Sequence, residues 1–159
     1  MQRTVYLDTT IPNYYFDERE SIKKFAEITQ TWWQEEQTNF EVWISNETLT
    51  ELGEGVYPHK PEALAFAAKL PVLPPNESIP EIAQIYIDNY LMPRVLKGDA
   101  LHLAYASFYK IDFLLTWNCN HLANANKKQH IRRINTRLNL AIPEIVTPLE
   151  LFTEVRNAY

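Results

Sequence analysis

The chain has 159 residues and a net charge of −5, with 46% hydrophobic and 22% charged residues. These values predict one globular domain spanning residues 1–159 and exclude a disordered or fibrous protein. The lone Cys119 excludes a disulfide framework and a multi-cysteine zinc site, and it favours a reducing cytoplasm. The three glycines form no phosphate-binding loop, and neither a secretory signal nor a membrane span is expected.

The charge is unevenly distributed along the chain. A net negative charge alone argues against a nucleic-acid partner. The first third is acidic, whereas residues 113–143 contain no acid at all. The basic residues of that stretch are Lys127, Lys128, Arg132, Arg133 and Arg137. This pattern fits two solvated faces of opposite sign, and it also fits a carboxylate metal site beside a phosphate-binding strip.

Short apolar or β-branched runs alternate with amphipathic stretches, which predicts strands alternating with helices. Strands are predicted at residues 3–7, 41–44, 113–116 and 144–147. Helices are predicted at residues 21–40, 46–52, 61–69, 78–92, 99–109, 124–138 and 148–155, with a short one after Thr9 or Thr10. This order predicts an α/β fold with a mostly parallel sheet covered on both faces, and ligands beyond the carboxyl ends of the strands.

Carboxylates stand at or near those strand ends. Asp8 follows the first strand, while Glu47 and Glu51 share one face of the helix after the second. Asp99 opens the helix before the third strand, where the helix dipole keeps a carboxylate ionised. Oxygen donors of this kind suit Mg²⁺ or Mn²⁺, ions that serve phosphoryl chemistry. Each acid alone is explained as well by a turn or capping role, but their joint position favours a metal site.

Four segments of the chain, VYLDTT, ISNETLTELGEG, GDALHLAYAS and DFLLTWN, carry a resemblance to a known family. Their order and spacing resemble the motifs of PIN-domain ribonucleases, in particular the VapC-like toxins of type II toxin–antitoxin pairs. The resemblance implies a three-layer α/β/α domain that cleaves RNA phosphodiester bonds with Mg²⁺ or Mn²⁺. It also implies an RNA substrate, a small antitoxin protein and a second copy of the chain, in a homodimer, as partners.

Matched motif by motif, the resemblance implies specific roles for five residues. Asp8, Glu51 and Asp99 fall on the three acids that hold the metal. Thr116 falls on the small hydroxyl residue of the last motif, and Thr9 on the hydroxyl residue that usually follows the first acid. These residues are the core of the predicted catalytic site.

One departure from the family pattern follows Thr116. Many members carry aspartate where this chain has Asn118 and often another where it has Asn120. Asparagine keeps an oxygen ligand but loses the charge, so the site is expected to hold its cation less tightly. Asn118 is kept in the predicted catalytic set, where it and Thr116 fix water or a carboxylate by hydrogen bonds. Glu47 is a less favoured source of the missing carboxylate.

Several residues near the motifs have two interpretations. Trp117 can stack on an RNA base or pack beside the cleft. His102 is favoured as a packed side chain over a metal ligand. The basic helix can position a phosphate backbone, remain solvated or dock an acidic partner segment. The residues predicted to contact nucleic acid are Thr9, Trp117, Lys127, Lys128, Arg132 and Arg133.

The sequence therefore predicts a metal-dependent endoribonuclease. The main alternative is a PIN domain with an impaired site that binds nucleic acid or protein, and Asn118 and Asn120 support it. A phosphatase of the haloacid-dehalogenase type is disfavoured, because Thr10 occupies the position of the second aspartate it needs. The net charge no longer argues against RNA, since a bound cation would offset the carboxylates locally.

Overall fold

The fold is described by a computed structural model that covers residues 2–89, 91, 97–118 and 125–153. Its strands are β1 (Arg3–Leu7), β2 (Phe40–Trp43), β3 (Phe113–Leu115) and β4 (Glu144–Val146). Its α-helices are α1 (Thr10–Phe16), α2 (Lys23–Glu36), α3 (Asn46–Leu52), α4 (Lys60–Ala68), α5 (Ser78–Asp88), α6 (Lys97–Phe108) and α7 (Ala125–Arg137). None of the helices in these ranges is long and apolar enough to cross a membrane.

The four strands form one parallel sheet in the order β2-β1-β3-β4. In the centre, Val5 of β1 lies opposite Val42 on one side and Phe113 on the other. The chain passes from β1 to β2 on one side and later returns to β3 on the other, so the strand order switches between β1 and β3. In open α/β sheets, the carboxyl ends of the strands at such a switch point form the ligand-binding crevice.

Side chains alternate between the two faces of the sheet and build a core on each. Val5 and Leu7 pack with Leu115 against α1–α4, and Tyr6 packs with Leu114 against α5, α6 and α7. Both faces are apolar because parallel strands have helices on both sides. The predicted three-layer α/β/α architecture is confirmed.

Three predicted elements differ from the structure by more than two residues at one end or both. The helix predicted at residues 21–40 is α2 flanked by two 3₁₀ turns, because Phe40 already pairs with Arg3 as the first residue of β2. The helix predicted at 78–92 ends as an α-helix at Asp88. The helix predicted at 148–155 is one 3₁₀ turn, Pro148–Glu150, and residues 154–155 lie outside the described ranges. The amide of Thr153 is bound by the Glu36 carboxylate, at 3.2 Å, instead of a helical carbonyl.

A buried amide fixes the basic helix α7 to the rest of the fold. The Oδ1 atom of Asn135 accepts a hydrogen bond from the Tyr86 hydroxyl, at 2.7 Å. Its Nδ2 atom donates to the Ser107 hydroxyl and to the Ala141 carbonyl, each at 2.9 Å. Burial raises the pKa of Tyr86 to about 12, so the phenol stays neutral and can donate. The network joins α5, α6 and α7.

Candidate active site

Asp8 lies at the switch point, directly beyond β1, and only 1% of its surface is exposed. Its Oδ1 atom accepts hydrogen bonds from the backbone amide of Thr10, at 3.0 Å, and from the Thr10 hydroxyl, at 2.5 Å. Its Oδ2 atom accepts from the Thr116 hydroxyl, at 2.5 Å. The residues after two neighbouring strands therefore hold one carboxylate between them.

Burial is the largest influence on Asp8 and raises its pKa from 3.8 to about 6. The charge of His102 and the hydrogen bonds from Thr10 and Thr116 oppose this rise, while the charge of Asp99 adds to it. Asp8 is therefore an incompletely compensated carboxylate, close enough to Asp99 for the two charges to repel. A cation placed beside it would favour the ionised form.

Helix α3 carries Glu51 to the same end of the sheet. The Ser45 hydroxyl caps the start of this helix by accepting from the Glu47 amide, at 3.2 Å. The Thr48 hydroxyl donates to the carbonyl of Leu7, at 3.2 Å, and so ties the helix to the end of β1. The helix predicted at residues 46–52 is therefore confirmed.

The Glu51 carboxylate is bound by two side chains through one of its oxygens. Oε1 accepts from the Thr9 hydroxyl, at 2.5 Å, and is hydrogen-bonded to His102 Nε2. Burial acts to raise the Glu51 pKa, but the bond and charge of His102 and the bond from Thr9 outweigh it, so the pKa lies below its ordinary value. Burial acts to lower the His102 pKa, but Glu51, Asp8 and Asp99 together hold it above its ordinary value. The acids thus favour the charged form of His102.

Asp99 stands in the first turn of α6 and is linked to the Asp8 group through Asn118. The Asn118 side-chain amide donates to Asp99 Oδ2, at 2.8 Å, and its backbone amide donates to the Thr116 hydroxyl, at 2.9 Å. The structure therefore connects Asp8, Thr116, Asn118 and Asp99 in one hydrogen-bonded group. Asn120 lies outside the described residues.

Glu51 reaches α6 beside the residue that precedes Asp99. A Cβ atom built on Gly98 would overlap Oε2 of Glu51 and would lie 3.5 Å from Oε1 of Glu47. Both glutamates of α3 therefore approach the start of α6, and glycine leaves the space that Glu51 occupies. The two oxygens of Glu51 have different surroundings, with Oε1 bound by protein donors and Oε2 against Gly98.

Comparison with known proteins connects this geometry to a family. The family model for the PIN domain matches residues 5–127. The chain belongs to the PIN domain family. PIN domains are generally nucleases that use divalent metal ions. No curated protein matches the chain. The matched range contains Asp8, Glu51, Asp99 and Thr116, the residues brought to the switch point.

The donor set of this PIN domain fits a hard divalent cation in kind and in charge. Carboxylate and amide oxygens are the ligands that Mg²⁺ and Mn²⁺ prefer. Burial raises the pKa of Asp8, and a cation bound beside it would favour the ionised form. As placed among the described residues, no three acidic, histidine or cysteine side chains form a group that could hold the ion. Within that part of the chain, the donors lie at one edge of the sheet and do not form a closed ligand cage.

Replacing Gly98 with alanine should move the Glu51 carboxylate and leave the fold stable. The clash falls on the end of a flexible side chain, so the carboxylate can shift at little cost in stability. We expect Mg²⁺-dependent activity to fall by about 10-fold, as for changes to groups that orient a metal ligand, with little change in melting temperature. Gly53→Ala is the matched control, because its Cβ would make only ordinary contacts at 3.5 Å. Equal activity of the two variants would contradict the expectation.

The residues predicted to contact RNA lie in different surroundings. The Thr9 hydroxyl donates its hydrogen bond to Glu51 Oε1. Trp117 is 9% exposed; its ring is stacked on Tyr14 with centroids 6.3 Å apart, and its indole N–H donates to Thr29 at 2.8 Å. The ring therefore lies within an aromatic cluster, in the position that the packing interpretation described.

The basic residues of α7 also differ from one another. Lys127 donates to the backbone carbonyl of Leu91, and Lys128 is half-buried. Arg132 and Arg133 are exposed to solvent. Of the four basic residues predicted to contact RNA, the two arginines are therefore the ones whose side chains lie at the open surface.

Sequence reasoning missed residues that support the acids. Thr10 gives Asp8 two hydrogen bonds, and the signal for it was the Asp-x-Thr spacing that forms a turn around an aspartate side chain. His102 was interpreted as packing, whereas it is hydrogen-bonded to Glu51. Tyr6 supports His102 from within a strand, where nothing in the sequence distinguishes it from an ordinary core residue.

Proposed function

We propose that this PIN domain is a Mg²⁺- or Mn²⁺-dependent endoribonuclease and the toxin of a toxin–antitoxin pair, similar to VapC. The observation that carries the proposal is the buried Asp8 carboxylate at the switch point, with Asp99 near enough to raise its pKa. Repelling carboxylates at a ligand-binding crevice are costly for a fold unless a cation or a reaction uses them. This set of oxygen donors suits a divalent ion of the kind that phosphoryl-transfer enzymes bind.

In this proposal, Asp8, Glu51 and Asp99 hold the metal directly or through water. When bound, the ion supplies a water of lowered pKa and offsets charge on the scissile phosphate. Thr116 fixes one oxygen of Asp8, and Asn118 fixes one oxygen of Asp99. These hydrogen bonds limit the rotation of both carboxylates, so that the donors are already oriented before the ion and the substrate arrive.

The same proposal assigns the partners. Arg132 and Arg133, exposed on α7, are suited to contact the phosphates of an RNA backbone. The side chains of Phe25 and Val56 are apolar and exposed, as single side chains on protein surfaces often are, and the protein partners are proposed from the resemblance to VapC-like toxins. We propose a small antitoxin and a second copy of the chain, in a homodimer, as those partners, in the cytoplasm.

A second candidate function is a PIN domain that binds nucleic acid or protein without cleaving it. Asn118 favours this candidate, because it places an amide instead of a carboxylate against Asp99. An amide removes one negative charge from the site and weakens its hold on a cation. The two candidates differ in whether the purified protein cleaves RNA when metal is added.

Cleavage of RNA by the purified protein tests the proposed function. Cleavage should require added Mg²⁺ or Mn²⁺ and stop with a chelator. It should fall at least about 100-fold in Asp99→Asn, because losing a group that only orients a metal ligand already lowers metal affinity or activity by 10–100-fold. Asp88→Asn is the matched control, because Asp88 is exposed at the end of α5, where it is bonded to Gln84. Metal-independent cleavage, or full activity of Asp99→Asn, would refute the assignment. Absence of cleavage together with weak or no metal binding would favour the second candidate.

A further inference from the structure

A chain of buried hydrogen bonds extends from Glu51 into the core. His102 is 1% exposed, and its Nε2 atom is bonded to Glu51 Oε1. Its Nδ1 atom is 2.5 Å from the Tyr6 hydroxyl, which lies 2.6 Å from the Ser45 hydroxyl. Tyr6 has no exposed surface. The candidate site described above does not by itself require this chain, which runs away from the acids and ends inside the protein.

The donor and acceptor roles along the chain are set by its ends. An ionised carboxylate only accepts, so Nε2 of His102 carries the hydrogen that faces Glu51. The Tyr6 hydroxyl can both donate and accept. It can therefore serve Nδ1 of His102 in either protonation state, with the Ser45 hydroxyl as its second partner. Each member has a partner on both sides, which orients the imidazole in one tautomer and rotamer.

The elements joined by this chain are those that carry the predicted metal ligands. Ser45 caps α3, the helix of Glu51, and His102 lies on α6, the helix of Asp99. Tyr6 lies in β1, two residues before Asp8. The Tyr6 ring is also stacked on Tyr105, with centroids 6.5 Å apart. This packing holds the ring in addition to the hydrogen bonds of its hydroxyl. The chain therefore ties together the three elements whose separation sets the spacing of the carboxylates.

We propose that His102 and Tyr6 are positioning residues for Glu51. By binding Oε1 together with Thr9, His102 leaves Oε2 facing the start of α6, beside Gly98. Tyr6 acts one step further away by fixing the imidazole. This inference rests on the proposed function in so far as Glu51 holds the metal, and it adds two residues outside the ligand set.

Affinity for Mn²⁺, measured by titration calorimetry, tests the inference without relying on activity. We expect His102→Leu to weaken Mn²⁺ binding by 10–100-fold, the usual effect of losing a group that orients a metal ligand, and Tyr6→Phe by about 10-fold. His102→Gln should recover most of the affinity, because its amide N–H can replace Nε2–H toward Glu51. In RNA cleavage, the Mg²⁺ concentration for half-maximal rate should rise more than the rate at saturating Mg²⁺ falls.

Tyr86→Phe is the matched control. It removes a hydroxyl that is equally buried and hydrogen-bonded, on α5, and it leaves the Glu51 chain intact. Melting temperatures should fall for both tyrosine variants, but only Tyr6→Phe should lose Mn²⁺ affinity. If His102→Leu does not fold, the comparison of Tyr6→Phe with Tyr86→Phe decides the question.

Failure of the proposed function and failure of this inference alone would give different results. Wild-type protein that binds no Mn²⁺ would overturn the proposed function, and this inference with it. Wild-type binding that depends on Asp99 but is unchanged in Tyr6→Phe and in folded His102→Leu would overturn the inference alone. Equal loss of affinity in Tyr6→Phe and Tyr86→Phe would assign Tyr6 a general structural role and would also overturn it.

Discussion

Replacing Asp8 with asparagine should abolish RNA cleavage and, at the same time, stabilise the metal-free protein. Loss of a ligand charge is expected to reduce Mg²⁺-dependent cleavage by at least about 100-fold. Stabilisation is expected because the ionised carboxylate is buried beside Asp99. Asparagine keeps Oδ1 as the acceptor for Thr10, and the Thr116 hydroxyl can turn to accept from the new amide. The variant thus removes a charge and preserves the hydrogen-bonded shape of the site.

The sign of the stability change follows from the pKa of Asp8. Folding raises that pKa from 3.8 to about 6, so the folded protein binds the proton more tightly than the unfolded chain does. The contribution of this group to stability is therefore greatest at low pH and is lost as pH rises through about 6. A shift of roughly two units corresponds to at most about 3 kcal/mol above that pH. Asp8→Asn removes this cost.

Thermal unfolding in the presence of a chelator, at pH 5 and pH 8, measures this effect. At pH 8 the melting temperature of Asp8→Asn should exceed that of the wild type by several degrees. The difference should shrink at pH 5, where wild-type Asp8 is partly protonated. A variant that is inactive and also less stable at pH 8 would mean that Asp8 serves the fold, contrary to its assignment as a metal ligand.

Replacing Asn135 with alanine should produce the largest loss of stability among the changes considered. Its amide is the shared partner of the Tyr86 hydroxyl, the Ser107 hydroxyl and the Ala141 carbonyl. Removing the amide leaves the Ala141 carbonyl without this donor, and the Tyr86 and Ser107 hydroxyls keep only their 3.2 Å contact with each other. A buried group left unsatisfied costs about 1–3 kcal/mol, and each further hydrogen bond lost costs about 1 kcal/mol. We expect the free energy of unfolding to fall by about 3–5 kcal/mol and the melting temperature by roughly 10 °C.

Denaturant unfolding followed by circular dichroism measures this loss. Asn126→Ala, at an exposed position in the first turn of α7, is the control and should change stability by less than about 0.5 kcal/mol. Similar stability of the two variants would show that α7 is not held by the Asn135 amide. The exposed Arg132 and Arg133 would then lose the anchor that their proposed contact with RNA requires.

Local sequence signals predicted most of the sheet, and they did so for physical reasons. Residues 3–7 are a β-branched and aromatic run that ends at a polar residue, and the structure places β1 there. Residues 113–115 are continuously apolar because a central parallel strand is buried on both faces. The helix predicted at residues 46–52 is α3, whose start is capped by the Ser45 side chain. These features depend on neighbours in the chain and are visible in the sequence.

The boundaries that failed depend on partners distant in the chain. The apolar spacing of α2 continues to Phe40, yet pairing with Arg3 makes that residue part of β2. The helix predicted after Pro148 stops after one turn, where Glu36 binds the Thr153 amide and hydroxyl. A single sequence carries no signal of either contact, because the interacting residues are separated by tens of positions.

The same division applies to the candidate site. Asp8 was predicted because it follows a strand, Asp99 because it lies in the first turn of a helix, and Glu51 because its helix matches a family motif. Hydrogen bonds and charge effects connect all three acids at one end of the sheet. The network that orients them was not predicted. Tyr6 lies on the face of β1 that carries core residues, and only its hydroxyl contact with His102 distinguishes it. That contact joins residues 96 positions apart.

Titration of Mn²⁺ into the metal-free protein is the most direct test of the central claim that these acids hold a divalent cation. The account predicts measurable binding to the wild type and to the exposed-residue control Asp88→Asn, and loss of that binding in Asp99→Asn. Thermal unfolding should accompany the titration, since an ion that binds only the folded state raises its melting temperature. No binding by the wild type, or unchanged binding by Asp99→Asn, would contradict the claim.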